Sequence, residues 1–227
     1  MWPASIRIEM RTLLMLLALC SGLRLAAAAD PVDAYLAGMK ASLGQLKTLQ
    51  AGFSQERHLA VFEDTLKSQG QLAFSTPDKL RWELQQPYHS VLLLNGSGVA
   101  KWDVEAGQAR RAKLGGKEAL QAALGQILAM LRGDFNSLKT GFDIKLSLGK
   151  AGGLDKLALK PKGQALAKYL SGLEFSIDPK RKRVVRLKLL EPGGDDTDVR
   201  FSHEKEDAAL DAKLFDLDHP LLEGVKP

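Results

Sequence analysis

A single cysteine occurs in this 227-residue chain, Cys20, and it stands inside the first apolar stretch. A disulfide framework is thereby excluded. Histidine is almost as scarce. His58, His89, His203 and His219 are scattered, with no pair at metal-ligand spacing. No serine sits in a nucleophile-elbow context, and no glycine loop is of the phosphate-cradling kind. Aromatic residues make up 6% of the chain and are not interleaved with basic ones as single-strand nucleic-acid binders require. The formal charge of +5 is too small to imply a nucleic-acid partner. The expectation is a protein that is not an enzyme, with no catalytic residue, no cofactor, no metal and no nucleic acid.

What is present begins at the N-terminus. Arg7 and Arg11 precede the apolar run Thr12 to Leu19, and Ala26 to Ala29 lead into Asp30-Pro31. A charged start, an apolar middle too short for a bilayer and a small-residue end describe a secretory signal peptide. Residues 1–29 are assigned to it, with cleavage after Ala28 or Ala29 and Met10 as an alternative start. The rival readings are a buried N-terminal helix and lipidation of Cys20, although Leu19 is not the small residue that lipidation needs. Cleavage removes three arginines and one glutamate, so the charge of +5 becomes +3. It also leaves no thiolate. Residues 30–227 are long enough to bury a substantial core as one domain, and a monomer is expected.

Helical spacing of Val32, Leu36, Met39, Leu43 and Leu46 predicts a helix over Pro31–Leu49. Gln50–Arg57 reads as a first strand with Phe53 on one face. Between Gly70 and Asp103 the chain alternates: Leu72 and Phe74, a Thr76-Pro77-Asp78 turn, then Leu80, Trp82 and Leu84, Pro87, the apolar run Val91 to Leu94, an Asn95-Gly96 turn and a strand with Trp102. Period-two patterning between turn residues predicts antiparallel hairpins. Glu118–Arg132 reads as a largely apolar second helix that Gly133 caps. Gly115-Gly116-Lys117 before it is either a flexible lead-in or a weak anion site.

Strands return at Phe142–Leu148, Leu154–Lys160, Leu170–Ile177, Val184–Leu190 and Val199–Phe201. Lys180 to Arg183 form a basic hairpin tip, either a solvated turn or a docking patch. Asp195, Asp196 and Asp198 form an acidic loop that lacks a recognisable set of further Ca²⁺ ligands. The order helix, strands, helices, strands predicts an α+β fold: a curled antiparallel sheet with helices filling one mouth. Its apolar face is either plain core or a socket for a greasy ligand.

The chain resembles the periplasmic lipoprotein carrier LolA family. The resemblance is carried by Phe53-Ser54-Gln55, Gly70 with Leu72 and Phe74, Pro77-Asp78-Lys79-Leu80-Arg81-Trp82-Glu83, Gln86-Pro87, Asn95-Gly96 and Trp102. Ile127-Leu128, Leu159-Lys160-Pro161-Lys162 and Leu173-Glu174-Phe175-Ser176-Ile177 extend it over nearly the whole mature chain. It implies an unclosed barrel with helices as a lid over an apolar cavity, and a periplasmic location. Phe53, Leu72, Phe74, Leu80, Trp82, Leu84 and Trp102 would bind ligand from the sheet side, and Leu124, Ile127, Leu128 and Leu131 from the lid side.

The implied function is carriage of acylated lipoproteins, or another acyl-lipid cargo, from an inner-membrane release complex to an outer-membrane receptor. A sensor or receptor domain and a lipid-acting enzyme are the rival readings. One position departs from the family pattern. Thr76 stands where the family places a lid-holding arginine, so another cation, such as Arg57 or Lys79, must hold the lid, or the lid is looser.

Overall fold

The computed structural model describes residues 30–61, 64–96, 98–114, 125 and 127–222. Helix α1 spans Pro31–Leu43, with Asp33 in its first turn and Lys40 in its last, an arrangement that complements the helix dipole. It buries Leu36, Met39 and Leu43 at helical spacing. The helix stops six residues before the predicted end, because Thr48 and Leu49 pair with Ser75 and Phe74 in the sheet. Sheet pairing outcompetes helical periodicity there.

Eleven strands follow among the described residues: β1 Thr48–His58, β2 Thr65–Ser75, β3 Lys79–Gln86, β4 Ser90–Asn95, β5 Gly98–Glu105, β6 Gln108–Arg111, β7 Phe142–Ser147, β8 Asp155–Pro161, β9 Gly172–Asp178, β10 Arg183–Leu190 and β11 Asp196–Glu206. They form one sheet in the order β6-β5-β4-β3-β2-β1-β11-β10-β9-β8-β7. Every pairing is antiparallel. The outer strands β6 and β7 do not pair, so the barrel is unclosed, as expected. Among the described residues, no helix is long and apolar enough to cross a membrane.

Between β6 and β7, residues 127–131 pack against the concave side. Of the predicted helix Glu118–Arg132, residues 125 and 127–131 are helical and Arg132 is a turn residue; residues 118–124 and 126, with Gly115-Gly116-Lys117, lie outside the described residues. Gly133 ends this helix at φ +68°, and a Cβ there would stand 3.3 Å from the Lys40 Cα. Glycine thus serves both the left-handed cap and a close approach to α1. Helix α2, Phe135–Gly141, follows, with Asp134 capping it through the Ser137 amide. Lys139 of α2 pairs with Asp33 of α1.

Cross-strand register sorts the side chains. Leu72 opposes Trp82, Phe74 opposes Leu80 and Phe53 opposes Gly70, so these residues share the concave face. Phe74, Leu80 and Ile177 are fully buried in one cluster with α1 and residues 128, 130, 135 and 138. Each such side chain contributes about 1.5–3 kcal/mol of burial. The run Val91 to Leu94, apolar on both faces, is split by the pleat. Leu92 and Leu94 join the concave cluster, and Val91 and Leu93 are buried on the convex side.

Candidate functional site

The concave face holds an apolar cavity of about 60 Å³ between the sheet and the 127–131 segment. The sheet contributes Leu49, Ala51, Leu72, Phe175, Val184, Leu187 and Phe201, and the covering side contributes Leu43, Ile127, Met130 and Leu131. Two charged residues, Arg183 and Glu204, complete the lining.

Of the expected residues, Leu72, Ile127 and Leu131 line this cavity. Phe53, Phe74, Leu80 and Leu128 are buried in the surrounding cluster, with Trp82 and Leu84 packed against it. Phe53 and Trp82 are in ring contact at 4.5 Å, and Trp82 meets the edge of Phe201 at 6.1 Å. Gly70 permits this arrangement, because a Cβ there would stand 2.6 Å from the Phe53 ring and 1.9 Å from the Glu83 carbonyl. Leu124 lies outside the described residues.

Trp102 requires a correction. Its partner in the ladder is Val91, and its indole Nε1 donates to the Leu217 carbonyl at 3.0 Å. It therefore packs on the convex face beneath the C-terminal segment, on the opposite side of the sheet from Trp82. Arg81 lies on that convex side too. It donates twice to Glu83, and also to the Leu214 and Leu221 carbonyls. His89 Nε2 stands 2.7 Å from the other Glu83 oxygen. This buried set is satisfied internally and pins the C-terminal segment rather than facing a ligand.

The charged end of the cavity was not legible in the sequence. Strand β11 was expected to end at Phe201, yet it runs to Glu206 with a register shift opposite Gln50–Gly52. His203 takes φ +52° there, the local signature of a bulge. Without the bulge, period-two counting from Phe201 would turn Glu204 and Glu206 away from the cavity; with it, they face inward.

Arg183 grips Glu206 through two hydrogen bonds, at 2.6 and 2.8 Å, and donates to the Ser42 hydroxyl of α1 at 2.7 Å. That pairing holds the Glu206 carboxyl below its usual range and raises the Arg183 guanidinium. Arg181 donates to Glu204. The rest of the hairpin tip is also engaged. Lys182 lies 4.5 Å from the Tyr35 ring centre, and the Tyr35 hydroxyl donates to Asp155. Burial, then Asp155, raise the Tyr35 hydroxyl above its ordinary value. The basic tip is thus a clamp on α1. Asp195 accepts from the Ala60 amide, Asp196 pairs with Lys188, and Asp198 pairs with Arg186 and Arg200, so each carboxylate of the acidic loop is met by a donor of the chain itself.

Thr76 spends its hydroxyl on the Lys47 carbonyl. Arg57, one proposed lid-holder, pairs instead with Glu191. A contact to the cover comes from a cation not foreseen: Arg132, just past the 127–131 helix, donates to the Pro77 carbonyl.

The family model described as "Outer membrane lipoprotein carrier protein LolA" matches residues 44–218. The outer-membrane lipoprotein carrier protein of Chromobacterium violaceum is 29% identical over 198 residues, covering 87% of this chain and 88% of that protein. Its counterpart in Methylococcus capsulatus is 27% identical over 212 residues, covering 92% and 94%. Among solved structures, a conserved protein from Thermus thermophilus shares the fold at TM-score 0.50 and 13% identity, covering 85% of this chain and 99% of that one. With the family match spanning the sheet from β1 to β11, the chain belongs to the LolA outer-membrane lipoprotein carrier family.

Proposed function

We propose that this protein is a periplasmic carrier that takes the acyl chains of lipoproteins, or of a related lipid, into the concave cavity and shuttles them toward the outer membrane. Family membership and the apolar cavity between sheet and cover support the reading. Residues 1–29 are its signal peptide, and residues 30–227 are one carrier domain. An inner-membrane release complex would load it and an outer-membrane receptor unload it. The role asks for binding and release, with no bond made or broken, so the protein is a carrier rather than an enzyme.

The cavity's size carries a consequence. At about 60 Å³ it is far smaller than the ~300–1,000 Å³ typical of ligand pockets. On this reading the apolar walls of the unloaded carrier close on one another. A guest enters only if the 127–131 segment separates from the sheet. Burying an acyl chain yields roughly 0.8 kcal/mol per CH₂, enough over a long chain to offset the lost contacts between cover and sheet.

The test is equilibrium binding of a fluorescent fatty-acyl probe to the purified protein. Saturable binding is expected, and Leu131→Glu should weaken it while the variant stays folded, because Leu131 is only half-buried at the cavity wall. A wild-type protein that shows no saturable binding sinks the reading.

A further inference from the structure

We propose that the β7–β8 hairpin is a membrane contact, with Leu148 and Leu154 entering the surface of an anionic phospholipid bilayer and Lys145, Lys150 and Lys156 meeting its headgroups. The inference goes beyond the acyl-binding reading and does not depend on it.

Leu148 and Leu154 stand at the two stems of this hairpin and are 67% and 44% exposed. The loop between them is tightly fastened. The Gly149 amide donates to the buried Asp155 carboxylate at 2.9 Å, and the Gly153 amide donates to the Lys150 carbonyl at 2.9 Å. A Cβ on Gly149 would collide with the Gly153 carbonyl, so the stems pinch together there. Residues 150–153 are all exposed. The loop therefore projects into solvent with a leucine on each side. Polar residues alone can make such a turn, and two exposed leucines add nothing to the core.

The charge around the loop is mostly positive. Ile144, Leu146, Leu157 and Leu159 pack with the concave cluster, so alternation puts Lys145 and Lys156 on the convex face. Both are exposed, as is Lys150 in the loop. The carboxylates beside them are engaged: Asp143 pairs with Lys162, and Asp155 is buried and accepts from Tyr35 and Gly149. Glu174, on the same face, lies across from Ala158 on one side and Lys188 on the other. Lysine on an edge strand such as β7 also blocks pairing with another sheet. That use calls for charge alone, and exposed leucines work against it. Leucine and lysine together on a projecting loop suit a bilayer. The leucines enter the boundary between headgroups and acyl chains, and each lysine near an anionic surface strengthens binding about fivefold. An acidic protein would meet the lysines, but a projecting loop gives it no pocket in which to seat an anchoring side chain.

The experiment is sedimentation of the purified protein with phosphatidylcholine vesicles, with and without phosphatidylglycerol, at low ionic strength. The protein should sediment with the anionic vesicles and not with the neutral ones, and salt should release it. Lys145→Gln, Lys150→Gln and Lys156→Gln together should weaken the partition by roughly tenfold or more. Leu148→Ser with Leu154→Ser should weaken it by about tenfold. Thermal transitions check that both sets of variants fold. Cys20 is the single cysteine and precedes residue 30, so Leu154→Cys gives the rest of the chain one attachment point for an environment-sensitive dye. Its emission should shift to the blue on anionic vesicles. No sedimentation with anionic vesicles overturns the inference, as does equal binding to neutral ones or binding that either set of substitutions leaves unchanged. Retention on poly-glutamate without vesicle binding also overturns it and assigns the loop to an acidic protein partner.

Discussion

Arg132 Nη1 donates to the Pro77 carbonyl at 3.3 Å, joining the end of the helical cover to the turn between β2 and β3. The neighbouring Thr76 offers no forked donor, and here the cation sits on the cover and the acceptor in the turn. Replacing Arg132 with alanine should cost about 1 kcal/mol of stability. Because the bond favours the closed form, its loss should also speed hydrogen exchange at residues 127–131 and tighten probe binding a few-fold. Exchange rates equal to wild type would show that the bond does not hold the cover.

Gly70 should be intolerant of even one methyl group. The Phe53 ring and the Glu83 carbonyl occupy the space a Cβ would need. Gly70→Ala is expected to destabilise the fold by about 1–3 kcal/mol, read by urea denaturation. Phe53→Leu in the same background should recover part of that loss, since the shorter side chain relieves one of the two clashes.

Trp102 and Trp82 separate the two faces of the sheet experimentally. Trp102→Phe deletes the donor to the Leu217 carbonyl and should make the chain after residue 207 more sensitive to protease, at a cost of about 1 kcal/mol. Acyl-probe affinity should stay at the wild-type level. Trp82→Glu should do the reverse and weaken the probe. A Trp102→Phe variant with impaired probe binding would mean that the convex face contributes to the site.

Asp198 predicts part of the acid response. Its hydrogen bonds from Arg186 hold the carboxyl below its ordinary value. A carboxyl depressed in the folded state contributes stability that is present above its unfolded pKa of ~3.9 and lost as pH falls through the folded value. Asp198→Asn should therefore lower stability at pH 7, and the deficit should shrink steadily below about pH 4. Denaturant titrations at pH 7, 4 and 3 check this. A deficit independent of pH would assign it to packing instead.

Much of the concave wall was readable from alternation alone. Leu72, Phe74, Leu80, Trp82 and Leu84 obey the period of two without interruption, and the turns at Thr76-Pro77 and Asn95-Gly96 fix their register. Trp102 misled because hydrophobicity does not record which face a residue occupies. Its strand has buried material on both sides, and the cover on the convex side arrives from residues more than a hundred positions later.

The sequence by itself determined the alternating strands, the turns between them, the helix that begins at Pro31 and the absence of a reactive cluster, because each follows from local chemistry and spacing. Tertiary structure alone decided how far α1 runs, which face holds Trp102 and what closes the cavity. It also decided the polar end of the site. Glu204 faces inward only because a bulge at His203 reverses the pleat, Arg181 meets Glu204, and Arg183 meets Glu206 and Ser42, through pairings that no local window of sequence contains.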